Sequence, residues 1–256
     1  MSVHIFSDAQ QLMANTAMFC VESATLAIAE HEIFNFVLAG GSTPQGVYAL
    51  LANPPYTNQI QWEKVQIFFG DERCVPLDHP DSNFNMANQT LLSKVPITAE
   101  HIFPMVVDES TLIQSAQKYV EQLQKNVPLD PNGMPQFDLI LLGMGKDDHT
   151  ASLFPHTSII EENTKLVASV YVEKMSTWRM SLTFPVINHA KHILILVSGE
   201  DKAQIIREVL MDSNLDDPYP IQQLAPDFEL SWFIDQPAAS LLPQKWITNN
   251  AKVYTQ

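Results

Sequence analysis

Glycine is scarce in this chain, with 8 in 256 residues, where average usage would give about 18. Cysteine is scarcer: Cys20 and Cys74 are too few for a disulfide framework or a closed zinc site. Each lies among apolar residues and reads as a small buried hydrophobe rather than a nucleophile. Positive charge is the third shortage. Fourteen Lys and Arg against 29 Asp and Glu leave a net charge of -15, which argues against nucleic acid and anionic membrane surfaces as partners. No stretch approaches the ~18–20 uninterrupted apolar residues of a membrane span. The first residues, Met1 to Asp8, lack the basic start and apolar core of a secretory signal. These absences set the expectation of a cytoplasmic globular protein, and its 46% apolar and 17% charged content is ordinary for one.

Scarcity makes the remaining glycines informative. Gly40, Gly41, Gly70, Gly143, Gly145 and Gly199 all follow short apolar runs. The runs are 34–39, 65–69, 137–142 and 192–197, continuous enough for strands covered on both faces. Glycine at a strand exit suits a tight turn or close approach of backbone to a ligand, and ligands of open α/β sheets bind outside the carboxyl ends of strands. Helical patterns alternate with these runs at 8–30, 44–51, 83–92, 109–125 and 201–211. The first opens with Ser7 and Gln10 in capping-box spacing. Further strands are expected at 166–172, 179–184 and 230–234. The segments 127–133 and 212–220 read as surface connections, neither long enough for a domain linker. The expected architecture is a single α/β domain over residues 1–256, with one doubly wound, mostly parallel sheet flanked by helices, an αβα sandwich of Rossmann-like type.

Four junctions carry residues with chemistry. At 38–45, Gly40 and Gly41 precede Ser42, Thr43 and Pro44. A hydroxyl cap and a proline in the first turn make an ordinary helix start, and the exposed amides there also make a phosphate cradle. The spacing fits neither a dinucleotide fingerprint nor a Walker loop. At 69–73, Gly70 is followed by Asp71, Glu72 and Arg73; Arg73 can bind an anion or stabilise developing negative charge, and a solvated strand end is the plainer alternative. At 142–155, Gly143 and Gly145 lead through Lys146, Asp147 and Asp148 to His149, which titrates near neutrality as a general base must. The other seven histidines read as structural or exposed. No second histidine or carboxylate stands nearby at ligand spacing, so no metal is assigned. Finally, Arg179 stands at a strand start and Lys202 at a helix start, where an anion is already favoured.

Together these segments resemble the 6-phosphogluconolactonase family, within the wider group that includes glucosamine-6-phosphate deaminases. The resemblance rests on the Gly41-Ser42-Thr43-Pro44 turn, 70–73, 147–155, 179–183, 198–202 and 232–235, nearly the whole chain. It implies hydrolysis of a phosphorylated sugar lactone without a cofactor, by a monomer or homodimer. It further implies that His149 activates water, that Arg73 stabilises the oxyanion or holds the substrate, and that Gly41, Ser42, Thr43, Arg179 and Lys202 bind it, gripping the phosphate. Either Asp71 or Asp147 would orient His149. The deaminase pattern places a glutamate where this chain has Phe154, which disfavours deamination. A regulatory protein that binds sugar phosphates without turnover is the alternative of a different class. The chain departs from the family at Asp148, where the pattern has glycine; aspartate tolerates the left-handed region, but its carboxylate would face an anionic substrate.

Overall fold

The structure, a computed structural model, describes residues 1–145, 149–211 and 217–254. Among them, seven parallel strands form the main sheet in the order β10-β1-β9-β8-β5-β2-β3. These are β1 (Ser2–Phe6), β2 (Phe34–Leu38), β3 (Val65–Phe69), β5 (Leu139–Gly143), β8 (His192–Val197), β9 (Glu229–Asp235) and β10 (Ala251–Tyr254). The apolar runs that the glycines follow are four of these strands; β2 is buried at all five positions, as a central parallel strand must be. The two strands at the β10 end of the sheet were not legible. β1 alternates buried and half-buried residues, and β10 is exposed along most of its length.

Helices flank the sheet. α1 (Ala9–His31) packs against α2 (Ser42–Leu51) and onto β1, β2 and β9. It is long and apolar enough to cross a membrane by length and composition. Here it buries Leu12, Ala17, Cys20, Ala24 and Ile28 at helical spacing. Its cap is Asp8, whose carboxylate accepts from the Gln11 amide at 2.9 Å; the expected Ser7 start lies one residue too early, because the Ser7 hydroxyl instead donates to Asp8. Cys20 is fully buried, whereas Cys74 is half-buried, a correction to the expectation for the second thiol.

The runs at 166–172 and 179–184 do not join the main sheet. They form β6 (Val167–Val172) and β7 (Thr177–Leu182), which pair antiparallel, and β7 pairs in turn with β4 (Asp71–Arg73). Phe184 begins α5 (Phe184–Asn188) rather than ending a strand. The short helix α3 (Asn83–Ala87) runs into one wider turn over Asn88–Leu92. α4 (Leu112–Asn126) lies against β6 and sends the Tyr119 hydroxyl to the Phe69 backbone at the end of β3. α6 (Ala203–Met211) follows β8, and α7 (Gln244–Asn250) precedes β10. The expected surface connection at 212–220 lies partly outside the described residues.

The strand order positions the site. From β2 the chain moves outward to β3, then returns so that β5 lies on the other side of β2. Such a reversal parts the loops leaving the two strands and opens a crevice at their carboxyl ends. The segments that flank it begin at Gly40 and at Gly143.

Candidate active site

A cleft of about 460 Å³ lies at this crevice. Its wall carries Gly41, Ser42 and Thr43 from the turn after β2, and Asp71 and Arg73 from β4. Gly143, Gly145 and His149 come from the loop after β5, Arg179 from β7, and Ser198 and Lys202 from the segment after β8. Every expected site residue within the described part of the chain therefore borders one cavity. Asp147, like Asp148 and Lys146, lies outside the described residues.

The turn after β2 differs from its expected form. Gly41 itself is the cap of α2, with φ of 103°, and neither Ser42 nor Thr43 makes a side-chain capping bond. Gly41 is needed for that left-handed backbone. Gly40 is needed for space: a Cβ there would stand 2.1 Å from the Asn83 side-chain oxygen. The consequence is a helix start that borders the cleft, with Ser42 exposed and Thr43 half-buried.

The second, antiparallel sheet explains the arginines. In its ladder Arg73 stands directly opposite Arg179, and like charges in that register repel. Buried carboxylates offset the repulsion and fix the strands. Asp71, 6% exposed, accepts from the Ser152 hydroxyl at 2.6 Å and lies 3.9 Å from the Arg179 guanidinium. Glu72, 1% exposed, accepts from the Ser82 hydroxyl and from the amides of Arg73, Asn83 and Phe84. Burial raises the Glu72 carboxyl above its ordinary value, against the pull of those four bonds. Arg73 is anchored through a 2.6 Å bond to the Asp81 carbonyl. The ladder thus sets two cations side by side on adjacent strands at the cleft, an arrangement that neither strand alone would provide.

The loop after β5 is closed at its neck. The Gly145 amide donates to the His149 carbonyl at 2.8 Å, and the Thr150 hydroxyl to the Gly143 carbonyl at 2.9 Å. His149 is half-buried and its ring stacks on Phe154. Ala151, which also borders the cleft, holds φ of 48°, a strained setting for a residue with a Cβ and common at functional turns. Asp71 was one of two candidates to orient His149. It bonds to Ser152 and Asn83 and lies near Arg179, so through Ser152 it meets the chain three residues after His149.

Lys202, 9% exposed, ends a single helical turn, Glu200–Lys202, that leads into α6. The residue that shapes its loop lies in the 232–235 segment of the resemblance, where it was given no role. Asp235, at the end of β9 and 2% exposed, accepts from the Ser198 hydroxyl and the Gly199 and Ala238 amides. It holds Gly199 at φ of 104°. Asn83, which bonds to Asp71 and fills the space beside Gly40, had no sequence signal.

With this geometry in place, comparison with known proteins is direct. Residues 7–232 match the family described as glucosamine-6-phosphate isomerases/6-phosphogluconolactonase. The chain is 37% identical over 234 residues to a 6-phosphogluconolactonase of Synechocystis, covering 91% of this chain and 95% of the relative. The crystal structure of devB protein superposes with a TM-score of 0.87 at 32% identity, over 94% of this chain and 99% of that one. The 6-phosphogluconolactonase of Trypanosoma brucei does so with a TM-score of 0.85 at 28% identity, over 94% and 98%. The crevice, its paired arginines and its histidine loop thus sit on a shared fold, and the chain belongs to the glucosamine-6-phosphate isomerase/6-phosphogluconolactonase family.

Proposed function

We propose that this protein hydrolyses 6-phospho-D-glucono-1,5-lactone to 6-phospho-D-gluconate, a step of the pentose phosphate pathway, as one domain and without a cofactor. The carrying observation is the convergence of His149 and three cationic side chains, Arg73, Arg179 and Lys202, on one cleft in a chain of net charge -15. So few cations gathered at one crevice favour an anionic small molecule against the mean field of the protein. Relatives named for this activity, matched over nearly their full length, support the choice of substrate.

In this reading the phosphate lies on the amides of the Gly41 turn, with Ser42, Thr43, Arg179 and Lys202 around it. Binding energy from that group orients the ester. His149 takes a proton from water as the water oxygen bonds to the lactone carbonyl carbon. The carbonyl electrons move onto its oxygen, and Arg73 stabilises that oxyanion. Collapse breaks the bond between the carbonyl carbon and the ring oxygen, which receives the proton from His149. The carboxylic acid then ionises, so each turnover releases one proton. Asp71 and Asp147 remain the proposed carboxylates that orient His149, Asp71 acting through Ser152.

The test follows acid release from freshly prepared lactone, with spontaneous hydrolysis subtracted. Wild type is expected to exceed background, and His149→Ala to lose about 10²–10⁴-fold, the usual share of a general base. Equal slopes at the background rate for both proteins would sink the lactonase reading. Ammonia release from glucosamine 6-phosphate would instead mark a deaminase, and binding without turnover a regulator.

A further inference from the structure

The Phe154 ring touches two of the site's chemical groups at once. Its centroid lies 4.1 Å from that of the His149 imidazole, with 21° between the planes, and the Arg179 guanidinium carbon stands 5.5 Å from the same centroid. Stacking at that distance fixes the plane of an imidazole, whose last torsion is otherwise broad. A guanidinium over an aromatic face is held by the ring quadrupole. Phe154 itself is 5% exposed, and its backbone is tied on both sides. Ser152 bonds to Asp71 and Ser181, the Leu153 amide donates to the Thr150 carbonyl, and the Thr157 hydroxyl donates to the Phe154 carbonyl. The ring is therefore a rigid wall, whereas His149 stands at the neck of a glycine-bounded loop.

We infer that Phe154 is a positioning residue, its ring setting the plane of the His149 imidazole against the Arg179 guanidinium. A proton acceptor displaced by about 1 Å can cost about 10²-fold in rate. Arg179 keeps its neighbour Asp71 when the ring is lost, so the damage falls on turnover more than on binding.

The rate readout rests on the lactonase reading; a second readout does not. A proton on an imidazole stacked over a benzene ring resonates upfield, and the His149 Cε1–H signal, assigned with His149→Ala, reports the stack without any substrate. In Phe154→Leu, kcat is expected to fall at least about tenfold with KM within about threefold, and the His149 resonance to move downfield. Phe154→Tyr, which keeps the ring face, is expected to restore both. Phe154→Met, also without a ring, takes the place of the leucine variant if that does not fold. An unmoved resonance, or a kcat within twofold of wild type in the ringless variant, would overturn the role of Phe154. A resonance that moves while His149→Ala turns over at the wild-type rate would instead overturn the general-base assignment and leave the stack standing.

Discussion

The two ends of the parallel sheet use the same residue types to opposite purposes. At the carboxyl ends of the strands, His149 borders an open cleft lined by cations. At the amino ends, histidines are paired with carboxylates: His31 with Asp138 at 2.8 Å, His189 with Asp227 at 2.8 Å and His192 with Glu229 at 3.2 Å. The carboxylates divide in the same way. Asp138 caps the start of β2 through the Asn35 amide and also meets Lys191, which is fold maintenance. Asp71, Glu72 and Asp235 spend their hydrogen bonds on the segments that present Arg179, Arg73 and Lys202. In the proposed reaction a histidine serves as a reagent where backbone turns leave a cavity, whereas histidines at the packed strand starts make structural bonds.

The sharpest way to break that contrast is to exchange a histidine at each end. His149→Gln is expected to lower kcat by about 10²–10⁴-fold, whereas His192→Gln leaves it within about twofold. Comparable losses at both positions, in steady-state assays of folded protein, would erase the distinction. A smaller effect is expected at Asp235→Asn. The amide replaces one acceptor by a donor among the Ser198 hydroxyl and the Gly199 and Ala238 amides, and an unmet buried group costs about 1–3 kcal/mol. The prediction is a lowered Tm and a KM raised roughly tenfold with kcat little changed, since Gly199 leads to Lys202; a lost kcat at constant KM would place Asp235 elsewhere in the reaction.

The smallest effect concerns stability and pH at the other end. His4 and His192 are both held below the ordinary histidine value of 6.5, chiefly by burial, and Lys252 pushes His4 down further. Glu229 pulls His192 the other way without prevailing. Their neighbours are Ser2, Ser231, Tyr254 and the Phe19 ring. As pH falls below 6.5 the unfolded chain binds protons that the folded one resists, so stability drops through that window. The slope of Tm against pH between 7.5 and 5.5 is expected to be shallower in His192→Gln than in wild type. An unchanged slope would show that burial of this ring carries no proton linkage.

Much of the site was legible because its signals are local. A glycine after an apolar run marks a strand exit whatever the rest of the chain does, and His149, Arg73 and the Gly41 turn were found that way. The caps were misread for an equally local reason. Ser7 competes with Asp8 one residue on, and the carboxylate, with its full charge at the amide end of α1, is the better acceptor. At α2, Gly41 takes the cap with its left-handed backbone, so Ser42 and Thr43 fall in the first turn of the helix, which borders the cleft. β10 escaped notice because an exposed strand carries little period; the strands near 166–172 and 179–184 were expected, but their pairing in a separate sheet was not, because an antiparallel partner can come from anywhere in the chain. Asn83 reaches Asp71 and Gly40 across more than ten residues, and no pattern in sequence encodes that contact.

By itself, then, the sequence determined where strands end and which few residues could do chemistry there, since eight glycines and fourteen cations leave little choice of position. Only the tertiary structure decided that these ends converge. The reversal of strand order between β2 and β5 opens the crevice, the ladder sets Arg73 against Arg179, and the stack on Phe154 gives His149 its plane. Strand order, register and ring contacts are long-range choices, made by burial of the whole core, and they are not written in any one segment.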